Sequence, residues 1–438
     1  MKTNARKLTE KVETSRTCDS PASKDDALVK RSFFTNCKRI IFYIVWLAVL
    51  FEGACYIVTH LVAALAARPT SVIFQEQSWH IKRFLSDNSL TQYDPQLGWR
   101  YRSNFVDKMN QMNSQGLRST REYTLQPNIG IIRVAAFGDS FVYGNEVANE
   151  NCWPTVLEKE FPAVEVLNYG VGAYGTDQAY LRYLSEGSDL SPQIVIIGFT
   201  TVNLQRILNV YRRFISDQEF PGVKPRYELS DKEELRLLPN PIVSLSGFER
   251  YLQSPRAVTE LGEHDYWYQP LVYENPCYDY SASVRFLTQF TIKLANRYFN
   301  EDRLCRGSLI NWDSNCKFNT SSTAFKIQIK IIERFASDVR ARGAIPVVAL
   351  FPDKLSIHRV HKNGTSIYYP LADWLKENRI DYVDLISAFS EGDVEGSLDK
   401  WFMGGGHYSP LGNKIVAQAL GMEILARTDS NTAVGGRQ

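Results

Sequence analysis

The chain lacks the signatures of several large protein classes. None of its seven cysteines stands in a C-x-x-C pair, so neither a zinc ribbon nor a thioredoxin-type motif is indicated. It has little excess of either charge: 50 Lys and Arg stand against 48 Asp and Glu, a formal net charge of +2. No basic stripe with interleaved aromatics is present, so nucleic acid is not an expected partner. No internal repeat is evident. Histidine is scarce, at six residues. His358 and His361 form an H-x-x-H pair in a basic loop, but no metal and no cofactor is expected.

What is present fits a globular protein with a sizeable core. Hydrophobic residues make up 44% and charged residues 22% of 438 positions. That length allows two or three domains, or one enlarged domain. Aromatics reach 12%, which suits sugar-stacking surfaces as well as ordinary packing.

The long apolar run is Ile40 to Ala67, interrupted by Glu52 and His60. About 20 such residues cross a bilayer, so a spanning helix is expected from about Ile40 to Val58. Glu52 is costly in hydrocarbon; it is protonated there, paired with another subunit, or a tolerated flaw. Lys30, Arg31, Lys38 and Arg39 precede the run and only Arg68 follows at once, which puts the N-terminus in the cytoplasm and the rest outside. A cleaved signal peptide is the competing reading, with Ala64-Leu65-Ala66 as its site. The 39-residue leader is long for one. Four cysteines follow the run: Cys152, Cys277, Cys305 and Cys316. An even number suits an oxidising space. Cys305 and Cys316 are the closest in sequence.

The remaining chain divides by composition. Residues 1–38 are polar and read as a disordered cytoplasmic tail, 39–67 as the anchor, 68–130 as a connector of turns and short strands, and 427–438 as a second disordered tail. Between 131 and 426 strands and helices alternate. Strands are expected at 131–137, 164–168, 194–200, 344–351 and 381–386. Helices are expected at 152–161, 176–186, 322–342, 366–378 and 410–426. Runs such as Ile194 to Thr200 are apolar throughout, as when both faces of a sheet are covered. The pattern predicts an α/β fold: a three-layer α/β/α sandwich around a parallel sheet. The alternation fails over about 204–321, which reads as a lid, a substrate-shaping insertion or a packing insertion.

One strand, Val134-Ala135-Ala136-Phe137, ends abruptly in Gly138-Asp139-Ser140. Ligands bind at the carboxyl ends of parallel strands, and a serine there is a nucleophile if a base lies within reach. The residue two after Ser140 is Val142, so the Gly-x-Ser-x-Gly elbow of α/β-hydrolases is not matched. A candidate base comes late, in Gly404-Gly405-Gly406-His407-Tyr408-Ser409-Pro410-Leu411-Gly412-Asn413. These two segments resemble the first and last blocks of the SGNH (GDSL-type) hydrolases. Tyr93–Tyr101 and Asn113–Arg118 resemble the lead-in of membrane-associated bacterial members.

The resemblance implies a flavodoxin-like fold and a serine esterase site. Ser140 is then the nucleophile and His407 the base. The oxyanion would be held by backbone N–H groups of Ser140 and of Ala173, with Gly172 the neighbouring candidate, and by the Asn203 amide. A helix N-cap is the other reading of Asn203. The family acid three residues before the histidine is missing, since Gly404 stands there. Asp399, or a backbone carbonyl of the glycine run, is left to orient His407, as a triad or a dyad. The expected function is a membrane-anchored, extracytoplasmic ester hydrolase acting on an O-acyl carbohydrate or related ester. The alternatives are an O-acyltransferase in polysaccharide modification and a non-catalytic binding or assembly protein with this fold. Oligomeric state stays open.

Overall fold

The computed structural model describes residues 24–61, 68–84, 86–216, 219–253, 255–298, 309–311, 316–390 and 394–435. It divides into two units: Met1–Ala66 with Ser281–Ser283, and Ala67–Tyr280 with Val284–Gln438.

In the first unit, helix α1 runs Lys24–Leu61. Its Arg31–Leu61 part is long and apolar enough to cross a membrane by length and composition. The helix starts well before the expected Ile40 and takes in residues read as tail. Ala27, Leu28, Lys30 and Arg31 are strong helix formers, and a nucleated helix extends at low cost. Within this unit the Glu52 carboxylate accepts hydrogen bonds from Ser281 Oγ at 2.8 Å, from Ser283 N at 3.1 Å and from Ala282 N. These partners come from the same chain, where the sequence offered a protonated group, another subunit or a tolerated flaw.

The second unit opens with α2 (Thr70–Phe84) and the antiparallel pair β1 (Thr91–Asp94) and β2 (Gly98–Tyr101). The connector was expected to hold no long helix; α2 corrects that. Its mixed composition hid a helix that buries Ile81 and Phe84 in the main core. Next come β3 (Ile132–Phe137), α3 (Ser140–Tyr143), α4 (Trp153–Glu160), β4 (Val164–Asn168), α5 (Thr176–Glu186), β5 (Ile194–Phe199) and α6 (Asn203–Arg206).

The region of failed alternation is built of small pieces. They are hairpin β6 (Arg226–Leu229) with β7 (Leu235–Leu238), helices α7 (Leu245–Gln253), α8 (Pro255–Glu260), α9 (Pro270–Tyr273) and α10 (Ala282–Tyr298), and the short pair β8 (Ile310–Asn311) with β9 (Lys317–Phe318). The β6–β7 hairpin packs on the next helix, α11 (Thr323–Ala341). The remaining elements are β10 (Ile345–Leu350), α12 (Lys354–Asn363), α13 (Tyr369–Glu377), β11 (Tyr382–Asp384), α14 (Val394–Trp401) and α15 (Pro410–Gly435). α12 was read as a basic loop. Asp353 caps it, its carboxylate accepting from Ser356 N at 2.7 Å, and Gly364 ends it in the left-handed region.

Five strands form the central parallel sheet in the order β11-β10-β5-β3-β4. Numbered along the chain this is 2-1-3-4-5, the flavodoxin-like arrangement. Every residue of β4 and β5 is buried, because helices cover both faces. Helices α5 and α11 pack on one side, α4 and α15 on the other. The fold is the three-layer α/β sandwich the alternation predicts. Cys305 lies outside the described residues, and with it one half of the expected cysteine pair.

Candidate active site

Ser140 opens α3 directly after β3. Asp139 caps the helix: its Oδ1 accepts from Phe141 N at 2.9 Å. The helix is one turn long, and Gly144 closes it at φ +84°. The β4 loop passes so close that a Cβ at Gly170 would meet the Tyr143 amide nitrogen, so only glycine fits there. Asp139 is buried, and its Oδ2 accepts from Thr200 Oγ1 at 2.7 Å, Arg206 Nη1 at 3.1 Å and Asn203 Nδ2 at 3.2 Å. It ties the β3 and β5 ends together, a longer reach than local capping.

His407 comes from the far end of the chain. It stands just before α15, whose start is fixed by Ser409 and Pro410: Ser409 Oγ accepts from Gly412 N at 3.2 Å. Asn413 holds the same loop through Tyr408 O and Ser409 O, both at 3.0 Å. The His407 ring lies 5.3 Å from the Phe141 ring, centre to centre.

Ser140, Gly172, Ala173 and His407 open on one cavity of about 290 Å³, together with Asn145 and Arg206. Thr91, Trp99, Tyr101 and Phe220 form the rest of its wall. Among the described residues no hydrogen bond joins Ser140 Oγ to His407. Such bonds are often long without substrate and tighten in the complex.

Asp399, expected to orient His407, is elsewhere. It sits on the surface of α14, its side chain 90% exposed and bonded to Lys354. The Lys354 ammonium draws its carboxyl below the usual range. The carboxylate near the imidazole is Glu146, from the loop after α3. Its Oε2 lies 3.5 Å from His407 Nδ1 and accepts from His407 N at 3.3 Å. The glycine run makes room for it: a Cβ at Gly405 would run into the Glu146 carboxylate. Glu146 escaped the sequence reading because only the few residues just before the histidine, Asp399 to Gly406, were considered for that role.

The candidate oxyanion donors separate clearly. Gly172 N–H is already spent on Tyr101 Oη at 2.8 Å. The Ala173 N–H has no acceptor among the described residues and borders the cavity, as does Ser140 at the first position of its helix. Ala173 holds φ +65°, a conformation natural to glycine and costly to an alanine. Asn203 is only 1% exposed and does not border the cavity. Its Nδ2 donates to Asp139 Oδ2 and to Tyr174 O, each at 3.2 Å. Its Oδ1 accepts from Thr200 N at 2.7 Å.

The lead-in phrases are part of this site. Tyr101 Oη and Trp99 Nε1 grip the two ends of Gly172; the indole donates to Gly172 O at 3.0 Å. Burial pushes the Tyr101 phenol up to about 12. Arg118, 2% exposed, forms no ion pair among the described residues. Its guanidinium donates to the carbonyls of Tyr143, Gly144, Val147 and Met109 and to Asn149 Oδ1, at 2.5–2.9 Å. It therefore fixes the loop that carries Glu146.

No protein-family model matches the chain, and no curated protein matches it. Solved structures do resemble it at low identity. One is a member of the lipolytic protein G-D-S-L family from Veillonella parvula DSM 2008 (12% identity, 67% of this chain, 98% of that one, TM-score 0.32). Another is a psychrotrophic esterase from Pseudoalteromonas sp. (8% identity, 68% and 99%, TM-score 0.32). A third is an acetyl xylan esterase (12% identity, 66% and 98%, TM-score 0.31).

Proposed function

We propose that this chain is a serine ester hydrolase of the SGNH type. One observation carries the reading: Ser140, His407 and the unengaged Ala173 N–H share one cavity, with the Glu146 carboxylate behind the imidazole. Those are the parts acyl transfer requires. Ser140 Oγ attacks the ester carbonyl carbon and its proton passes to His407 Nε2. The carbonyl electron pair moves onto oxygen, where Ser140 N–H and Ala173 N–H receive it. Collapse expels the alkoxide, which takes the proton from Nε2, and water repeats the sequence to free the acid. Each donor lost from such a hole costs about 2.7–4 kcal/mol.

The ester is an O-acyl group on a carbohydrate or a related alcohol, a reading supported by the partly exposed Phe220 ring on the cavity wall. Helix α1 is the anchor, with the N-terminus in the cytoplasm and the site outside. The test is turnover of a short-chain aryl ester by purified protein. Ser140→Ala and His407→Ala should each abolish it with the fold intact, and the double variant should lose little more. Activity of Ser140→Ala within tenfold of the parent would sink the reading.

A further inference from the structure

The oxyanion site has a vacancy on its α6 side. The family pattern points to Asn203 there, yet both N–H groups of that amide are occupied and the residue lies behind the cavity. Three residues on, Arg206 holds the same two acceptors from the cavity side. Its Nη1 donates to Asp139 Oδ2 and to Tyr174 O, each at 3.1 Å. That uses both Nη1 protons. Its Nε and Nη2 have no acceptor among the described residues, and the side chain, 13% exposed, borders the cavity with Ser140, Ala173 and His407.

We propose that Arg206 is a catalytic residue: it donates to the oxyanion from the position the sequence assigns to Asn203. The inference rests on the hydrolase reading above. A guanidinium stays charged at any working pH, and its bonds to an oxyanion are charge-assisted, roughly twice as strong as neutral ones. Asp139 supplies the balancing charge and fixes the planar group before substrate arrives. The donor is therefore preorganised toward charge that exists only in the transition state. Asn203 in turn becomes a brace between the β5 end and Asp139.

The experiment uses full-length protein in detergent, an uncharged aryl acetate, and an alkylboronic acid as a mimic of the tetrahedral intermediate. Arg206→Gln should lower kcat by about 10²–10³, leave KM within threefold, and weaken boronate binding by the same factor. Arg206→Lys, which keeps the charge, should fall between the two and serves as the decisive variant if Arg206→Gln does not fold. Three results would overturn the proposal: kcat within threefold of the parent, a loss confined to KM, or a loss of kcat without loss of boronate affinity. A KM effect alone would mean that Arg206 binds substrate in the ground state. Parent turnover that vanishes in Ser140→Ala supports the hydrolase reading independently of Arg206. A parent with no turnover overturns both.

Discussion

Glu146 holds its backbone at φ +69°, a conformation uncommon for a residue with a Cβ. Strain of this kind persists where surrounding contacts impose it. Here they are the Arg118 bonds to the Gly144 and Val147 carbonyls on either side and the tight approach of Gly405. The outcome is a carboxylate 3.5 Å from His407 Nδ1, where it would hold the imidazole's orientation and stabilise its protonated form. Glu146→Gln should therefore cost at least about a hundredfold in kcat with unchanged thermal stability; the equivalent change in serine proteases costs about 10⁴. Asp399→Asn should stay within about twofold, since that side chain is 90% exposed and pairs with Lys354, away from the imidazole. Steady-state kinetics on both variants checks this, and a reversed ranking would return the role to Asp399. That Ser140 and His407 would border one cavity was legible in the sequence, because each sits in a motif whose neighbours shape it locally. Glu146 was not. It follows Ser140 by six residues on a separate loop, and no spacing rule links it to a histidine 261 positions away.

At the scale of elements, the strands were legible for a physical reason. β4 and β5 are covered on both faces, so their sequences are apolar throughout. Helices α4, α5 and α11 were legible from periodicity. Helix α12 was not, since its exposed basic face outweighed its capping signals, Asp353 and Gly364. Nor was the part played by residues 91–123. Trp99, Tyr101 and Leu117 join the main core, and β2 holds the loop that presents Ala173. Arg118 makes the sharpest test. Arg118→Met would leave the carbonyls of Met109, Gly144 and Val147 and the Asn149 amide oxygen without this donor, while Tyr143 O keeps Asn168 Nδ2 at 3.1 Å. An unsatisfied buried group costs about 1–3 kcal/mol. Allowing for relaxation, the loss should exceed about 3 kcal/mol, read from the denaturant midpoint. A change below about 1 kcal/mol would mean that water replaces the guanidinium and that the lead-in is only a tether.

For the whole molecule, the two units divide the work: one carries the apolar helix, the other the site. The charge asymmetry around α1 predicts the side on which the site operates. Lys30, Arg31, Lys38 and Arg39 lie on one flank and Arg68 on the other. A reporter active only outside the cytoplasm, fused after Gln438, should be active in cells. A silent reporter with an active cytoplasmic counterpart would reverse the orientation, and a shortened soluble chain cut near Ala66 would show a signal peptide. The claim on which all else depends is that Ser140 is a nucleophile activated by His407. Treatment of the full-length protein with a fluorophosphonate, followed by peptide mass spectrometry, tests it directly. One covalent adduct is expected, on Ser140, and it is lost in His407→Ala. An unlabelled Ser140 in folded protein, or labelling that survives His407→Ala at the parent rate, would contradict it.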